Sequence, residues 1–285
     1  MPRRAQIALI GAGAGVVLLA LTWWVSHYTA IGEHADVSIL RGFADLTRPR
    51  VDRLATFIAG LCNPNRYVFL AAVPVGVALI RRRPRVAVML ALVLLCANET
   101  TQLLKPLLAA PRIPGPWGPT FNASWPSGHA TAAMSLALCA VIAAPARRRP
   151  MVAAGMATFA IAVSYSFLVL IWHYPSDVLG GFLVAGTWTL AGVASLSIIE
   201  ARRTQGASAE AARAARPSFS VGEALTPVAL LVGVAAVLLG LIVLARPHEV
   251  ISYVREHEAF VVGACSIGVL GMVLASGLSL MLRRQ

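Results

Sequence analysis

Two histidines and an aspartate stand at the ends of apolar runs in this chain, where ionisable side chains are costly. His129 lies in "WPSGHAT" (residues 125–131), and His173 and Asp177 lie in "WHYPSDVLGG" (172–181). Pro175 suits a helix start, which puts Asp177 in the first turn, able to reach back to one ring nitrogen of His173. Such a bond fixes the tautomer and leaves the other nitrogen as a lone-pair nucleophile. The same residues would also serve a purely structural His–Asp bond between two helices.

The second stretch adds an anion site. Pro126 and Gly128 permit a tight turn into a helix, and the free N–H groups of its first turn, with the Ser127 hydroxyl, attract negative charge. His129 stands one step inside; alone it could equally be a capping or packing residue. The third stretch, "KPLLAAPR", supplies Lys105 and Arg112. Lys105 is the sole lysine of the chain, among 24 basic residues. A generic interfacial cation would have been arginine here, so the choice points to a specific demand, against the plainer reading of a snorkelling side chain. Taken together, two cations and a helix N-terminus can hold a phosphate. One histidine backed by a carboxylate can attack it, while a second protonates the departing oxygen. That is nucleophilic phosphoryl transfer with general acid help, and it requires no metal or other cofactor.

The elements that position these groups are membrane helices. Of 285 residues 58% are hydrophobic and 13% charged, a balance that excludes an ordinary soluble domain. Eight spans are predicted, near 6–27, 54–81 (its first part interfacial), 86–108, 127–144, 151–171, 176–199, 225–245 and 259–282. The first is read as a retained helix rather than a signal peptide, because its apolar run is long and ends on Trp23 and Trp24. Gly11 and Gly15 in it form a G-x-x-x-G that permits close packing. The net charge of +12 comes from short arginine runs at 3–4, 81–85, 147–149, 202–203 and 283–284, all on one side of an eight-span chain. The positive-inside rule makes that side cytoplasmic and puts both termini there, with His173 facing out. With no aromatic-studded basic surface, nucleic acid is not an expected partner. The domain reading is a six-span unit over 1–200, an Ala/Arg/Ser-rich cytoplasmic linker over 201–224 and a two-span hairpin over 225–285. The outer segment 36–57 is expected to include a short interfacial helix.

With the motifs in order, the sequence resembles the type 2 phosphatidic acid phosphatase superfamily of membrane enzymes. The family patterns K-x6-R-P, P-S-G-H and S-R-x5-H-x3-D correspond to "KPLLAAPRI", "PSGH" and "SFLVLIWHYPSD", over roughly residues 40–200. The resemblance implies an all-α polytopic membrane protein with a six-helix phosphatase core, to which this chain adds two C-terminal helices. It implies that Lys105 and Arg112 bind phosphate oxygens and that Ser127 with the Gly128 amide completes the cradle. His129 would be the general acid, His173 the nucleophile forming a phosphohistidine, and Asp177 its partner; Ser166 matches the first letter of the third motif. Two departures stand out. Ile113 replaces the proline of the first motif, with Pro114 one place later, and Phe167 stands where the family carries a phosphate-binding arginine. Either an arginine of the outer segment (Arg41, Arg48, Arg50, Arg53 or Arg66) substitutes, or the site takes a less charged phosphoryl group.

The leading expectation is a lipid phosphatase of a bacterial plasma membrane, acting outside the cytoplasm on a lipid phosphate or diphosphate such as a polyprenyl diphosphate or phosphatidate-like lipid. A lipid phosphotransferase is the alternative, and a non-catalytic scaffold or transporter a third. Asn98 and Gln102 share a helical face with Lys105 and are candidates to line the path to the site, or to pack. Glu99 lies off that face within a span and is expected to be paired or protonated. The outer segment "RPHEVISYVREHE" matches no tight metal-ligand spacing and reads as a solvated loop. Cys62, Cys96, Cys139 and Cys265 are scattered and read as small packing residues.

Overall fold

The computed structural model describes residues 1–113, 123–204 and 221–284, and among these the chain is helical throughout. The helices are α1 (Arg3–Tyr28), α2 (Ala30–Ala44), α3 (Pro49–Ala59), α4 (Pro64–Ile80), α5 (Pro84–Leu107), α6 (Gly128–Ala143), α7 (Arg149–Val169), α8 (Pro175–Thr204), α9 (Val221–Ala245), α10 (Pro247–Glu256) and α11 (Glu258–Met281). Six are long and apolar enough to cross a membrane, and α4 and α6 are shorter apolar helices. Those two, of 17 and 16 residues, rise only about 24–26 Å, less than the roughly 30 Å of a hydrocarbon core.

The bundle is built around α6, which is buried along most of its length and packs against α4, α5, α7, α8 and α11. Its Cys139 and the Cys62 before α4 are buried, as expected of packing residues, whereas Cys265 is exposed. Helix α1 lies along α8, and the G-x-x-x-G face makes that approach: a Cβ on Gly15 would meet the Thr187 hydroxyl and one on Gly11 the Leu190 side chain. Helix α11 reaches well into the bundle, touching α2, α6, α7 and α8. The arginine-bearing ends gather on one side. Arg81 donates to the Ala143 carbonyl at the end of α6, and Arg149 at the start of α7 donates to the Leu282 carbonyl. The start of α6, with the motif residues, is at the other end.

Two expectations need correction. The span over 54–81 is broken: α3 ends in a 3-10 turn at Gly60–Cys62, and α4 begins only at Pro64. Pro64 forces Asn63 out of the helical region (φ −64°, ψ 143°), which stops one helix and starts the next. The outer segment accordingly holds two helices, the end of α2 and most of α3. The outer stretch 246–258 is not a plain loop but contains α10, and His257 after it is buried, bonded to Asp45 at 2.8 Å; its neighbours His248, Glu249, Glu256 and Glu258 are exposed. For Glu99, exposed on α5, no hydrogen bond or ion pair is present among the described residues, so of the paired and protonated alternatives the pairing is not seen. Most of the linker expected over 201–224, and Pro114 of the first motif, lie outside the described residues.

The glycine pair of "SDVLGG" sets how closely α8 meets α6. A Cβ on Gly181 would lie 2.7 Å from the Ser127 carbonyl oxygen and 2.9 Å from the Thr131 amide, and one on Gly180 2.9 Å from the Trp125 ring. Backbone cannot retreat as a flexible side chain can. Gly181→Ala is therefore expected to lower stability by about 1–3 kcal/mol and to displace the start of α6. Thermal unfolding in detergent measures it; an unchanged midpoint would contradict the close contact.

Candidate active site

The first motif closes α5, the second opens α6, and the third spans the α7–α8 junction, so three helix ends converge. Helix α6 starts at Ser127, whose Oγ accepts from the Ala130 amide at 3.3 Å as an N-cap. Its own amide donates to the Asp177 carbonyl at 2.9 Å, which ties the α6 start to the first turn of α8. The turn between α7 and α8 is sharp: Ile171 has φ 59°, a left-handed conformation unusual for a β-branched residue, two places before His173.

Asp177 is the hub. Its carboxylate is fully buried; Oδ2 lies 3.1 Å from His173 Nδ1 and accepts from the Tyr174 amide at 3.0 Å, while Oδ1 accepts from Arg112 Nη1 at 2.8 Å. Among the described residues no hydrogen bond reaches His173 Nε2, so the nitrogen away from the carboxylate is open for chemistry. His129 stands on the facing helix with Nε2 3.0 Å from Asn63 Oδ1. Lys105 Nζ lies 3.6 Å, and Gln102 Nε2 3.2 Å, from where a Cβ would sit on Gly128. A glycine there lets the lysine come against the first turn of α6.

Not every predicted residue lies among these. Asn98 donates to the Tyr67 hydroxyl at 3.0 Å and to the Leu94 carbonyl at 2.7 Å, a packing bond between α5 and α4. Ser166 turns back along α7 to the Ala162 carbonyl at 2.7 Å. Arg112 is present, but its side chain is 3% exposed and occupied: Nη2 donates to Asp36 and, at 3.0 Å, to Ser176 Oγ, and the guanidinium lies 4.0 Å over the Tyr174 ring. Phe167 is fully buried between the two histidines, its ring centroid 5.2 Å from that of His173 and 6.0 Å from that of His129. Of the five outer arginines, Arg66 is the one tied to the turn carrying Asn63, through a 3.4 Å bond to the Gly60 carbonyl. Arg48 and Arg53 bond backbone carbonyls of their own segment.

Sequence reasoning missed Asp36, Asn63, Tyr174 and Ser176. Asp36 had a signal: it is one of 12 acidic residues and sits among apolar neighbours in α2. Its carboxylate accepts from the Ser176 amide at 2.9 Å and from the Ser176 hydroxyl, besides Arg112. Burial pushes this carboxyl up to about 6, against the downward pull of Arg112 and Ser176.

Residues 86–203 match the model of the PAP2 superfamily. That segment contains all three motifs and the whole His173–Asp177 junction. The fold is also that of a solved membrane protein, a transmembrane PAP2-type phosphatidylglycerolphosphate phosphatase from Bacillus subtilis. The two align with TM-score 0.53 at 21% identity, covering 67% of this chain and 96% of the other. No curated protein matches the sequence. The PAP2 segment begins after α1–α4 and ends before α9, so Asp36, Asn63 and Arg66 lie outside it.

Phe167 closes the space between the histidines with an apolar ring. In Phe167→Arg a charge would be buried there with no carboxylate beside it, at a cost of about 3–5 kcal/mol. The variant is expected to melt below the parent in anion-free detergent and to recover on addition of inorganic phosphate. A variant that melts like the parent and ignores phosphate would show that position 167 does not face an anion site.

Proposed function

We propose that this protein is a lipid phosphatase of the membrane, acting at its extracytoplasmic face on a lipid phosphate or diphosphate. The observation that carries the reading is the His173–Asp177 pair, with Nε2 open, set beside Lys105 and the N-terminus of α6. In this mechanism the substrate phosphoryl group rests against Lys105 and the amides of Gly128 and its neighbours, which concentrate positive potential without a metal. His173 Nε2 attacks phosphorus, forming an N–P bond as the P–O bond to the lipid breaks. Asp177 stabilises the developing imidazolium through Nδ1–H. His129 gives its proton to the departing oxygen, then takes one from the water that hydrolyses the phosphohistidine and releases phosphate. Arg66, beside the Asn63 that bonds His129, supplies the cation that Phe167 does not. The six-span core holds this site; the 225–285 hairpin is an addition to it.

One observation favours a second reading, a phosphotransferase. With Phe167 in the arginine position and Arg112 held by two carboxylates, the site offers fewer free cations than a dianionic monoester favours, and a singly charged phosphodiester fits that balance better. A diester donor outperforming every lipid monophosphate and diphosphate, with the head group recovered on an added alcohol, would give this reading the lead.

His173→Ala is expected to lower phosphate release from a lipid phosphate by about a thousandfold or more while the protein stays folded. Substantial turnover in that variant would sink the phosphohistidine route. His129→Ala should cost about 10²–10⁴-fold on the lipid substrate and much less on an aryl phosphate, whose leaving group needs little protonation. EDTA is expected to leave the parent rate unchanged; magnesium-dependent recovery after EDTA would require a metal at the site.

A further inference from the structure

Arg112 presents its fork to two carboxylates at once. Nη1 meets Asp177 at 2.8 Å and Nη2 meets Asp36, whose other oxygen takes the Ser176 amide at 2.9 Å. Asp177 in turn holds His173. A chain of contacts therefore runs from α2 through Asp36 and Arg112 to the histidine, entering the site from behind rather than from the substrate side. All three side chains are buried, Arg112 and Asp36 at 3% and 6% exposure and Asp177 at zero.

Helix α2 is held by the C-terminal helices. A Cβ on Gly42 would collide with Phe260 Cβ, and one on Gly263 with the Ile39 side chain, so α2 and α11 meet across two glycines. The Tyr253 hydroxyl of α10 donates to the Gly42 carbonyl, and buried His257 meets Asp45 just past the end of α2. Phe43 packs edge-on to Phe260 at 4.8 Å. These contacts fix the helix that delivers Asp36.

We infer that Asp36 is a positioning residue of the active site, orienting Arg112 against Asp177, and that α10 and α11 serve the reaction by holding α2 in place. The inference rests on the reading of His173 as nucleophile. Arg112 acts in it through the Asp177–His173 pair. A bare Arg112 would turn its whole charge on Asp177 and weaken that carboxylate as a support for the imidazolium. With Asp36 sharing the guanidinium, Asp177 keeps its hold on His173 Nδ1, and the ring stays aimed. Without Arg112, two buried carboxylates would face each other unpaired, each costly.

The test uses the full-length protein in detergent with a lipid phosphate substrate, comparing Asp36→Asn, Arg112→Ala and the double variant. Asp36→Asn keeps the side-chain shape and is expected to lower kcat about tenfold or more while KM stays within about threefold. A purely structural role would not produce the second signature: in the Arg112→Ala background, Asp36→Asn should cause no further loss of kcat and should raise the melting temperature, because it removes an unpaired buried charge. Gly42→Leu, which wedges α11 off α2, should reproduce the Asp36→Asn pattern of low kcat and near-normal KM. Multiplying losses in the double variant, a parent-like Asp36→Asn, or a tenfold rise in KM at unchanged kcat would each overturn the inference. His173→Ala run alongside separates the two ideas: if it is inactive while Asp36→Asn is normal, only this inference falls, and if it turns over, the mechanism itself falls.

Discussion

A carboxylate with no exposure to solvent, Asp177, is the constraint around which the molecule is arranged. Such a group stays ionised only if its lone pairs are met by donors and its charge by a cation. Here His173 and the Tyr174 amide meet one oxygen and Arg112 the other. Its backbone carbonyl takes the Ser127 amide, so the same residue registers the N-terminal end of α6 against His173. Satisfying one buried charge thus draws together the α7–α8 turn, the start of α6 and the segment after α5. Arg112 carries the obligation outward, because a second carboxylate, Asp36, takes up the other side of its fork.

The apolar side of the site follows a different logic. Phe167 packs against both imidazoles, and the Trp172 ring lies 5.9 Å from His129. These rings give the space beside the two histidines an apolar wall. Beside an apolar wall a charge contact is stronger than the same contact in open water. Under the proposed function, few cations beside apolar rings leave room for either a phosphomonoester or a phosphodiester.

Small residues decide how near the helices come. Gly11 and Gly15 let α1 lie on α8, Gly180 and Gly181 let α8 reach Trp125 and the start of α6, and Gly42 and Gly263 join α2 to α11. Helix association in a bilayer gains little from burying apolar surface, so close backbone approach and interhelical hydrogen bonds such as Thr101 to Thr131 at 3.0 Å take its place. The short helices α4 and α6 start at a common level, marked by the bond between Asn63 and His129, where the motif residues converge.

The all-helical membrane class was legible because a bilayer forces apolar runs to be long and backbone polar groups to pair locally. The three motif clusters were legible too, and so was the His173–Asp177 bond, since four residues across a turn leave little freedom. Other features could not be read from the linear chain. Asn98 shared a helical face with Lys105 and Ser166 matched a motif letter, but they found nearer partners in Tyr67 and the Ala162 carbonyl. Asp36, 76 positions before Arg112, reaches it only because α2 is folded back over the α8 start and pinned by α11. Helical periodicity determines which residues share a face within one segment, whereas which faces meet depends on glycine contacts and buried charges from segments far apart. The sequence by itself therefore determined the helical membrane class and the His173–Asp177 pair, and the tertiary structure alone decided what stands behind Arg112 and between the histidines.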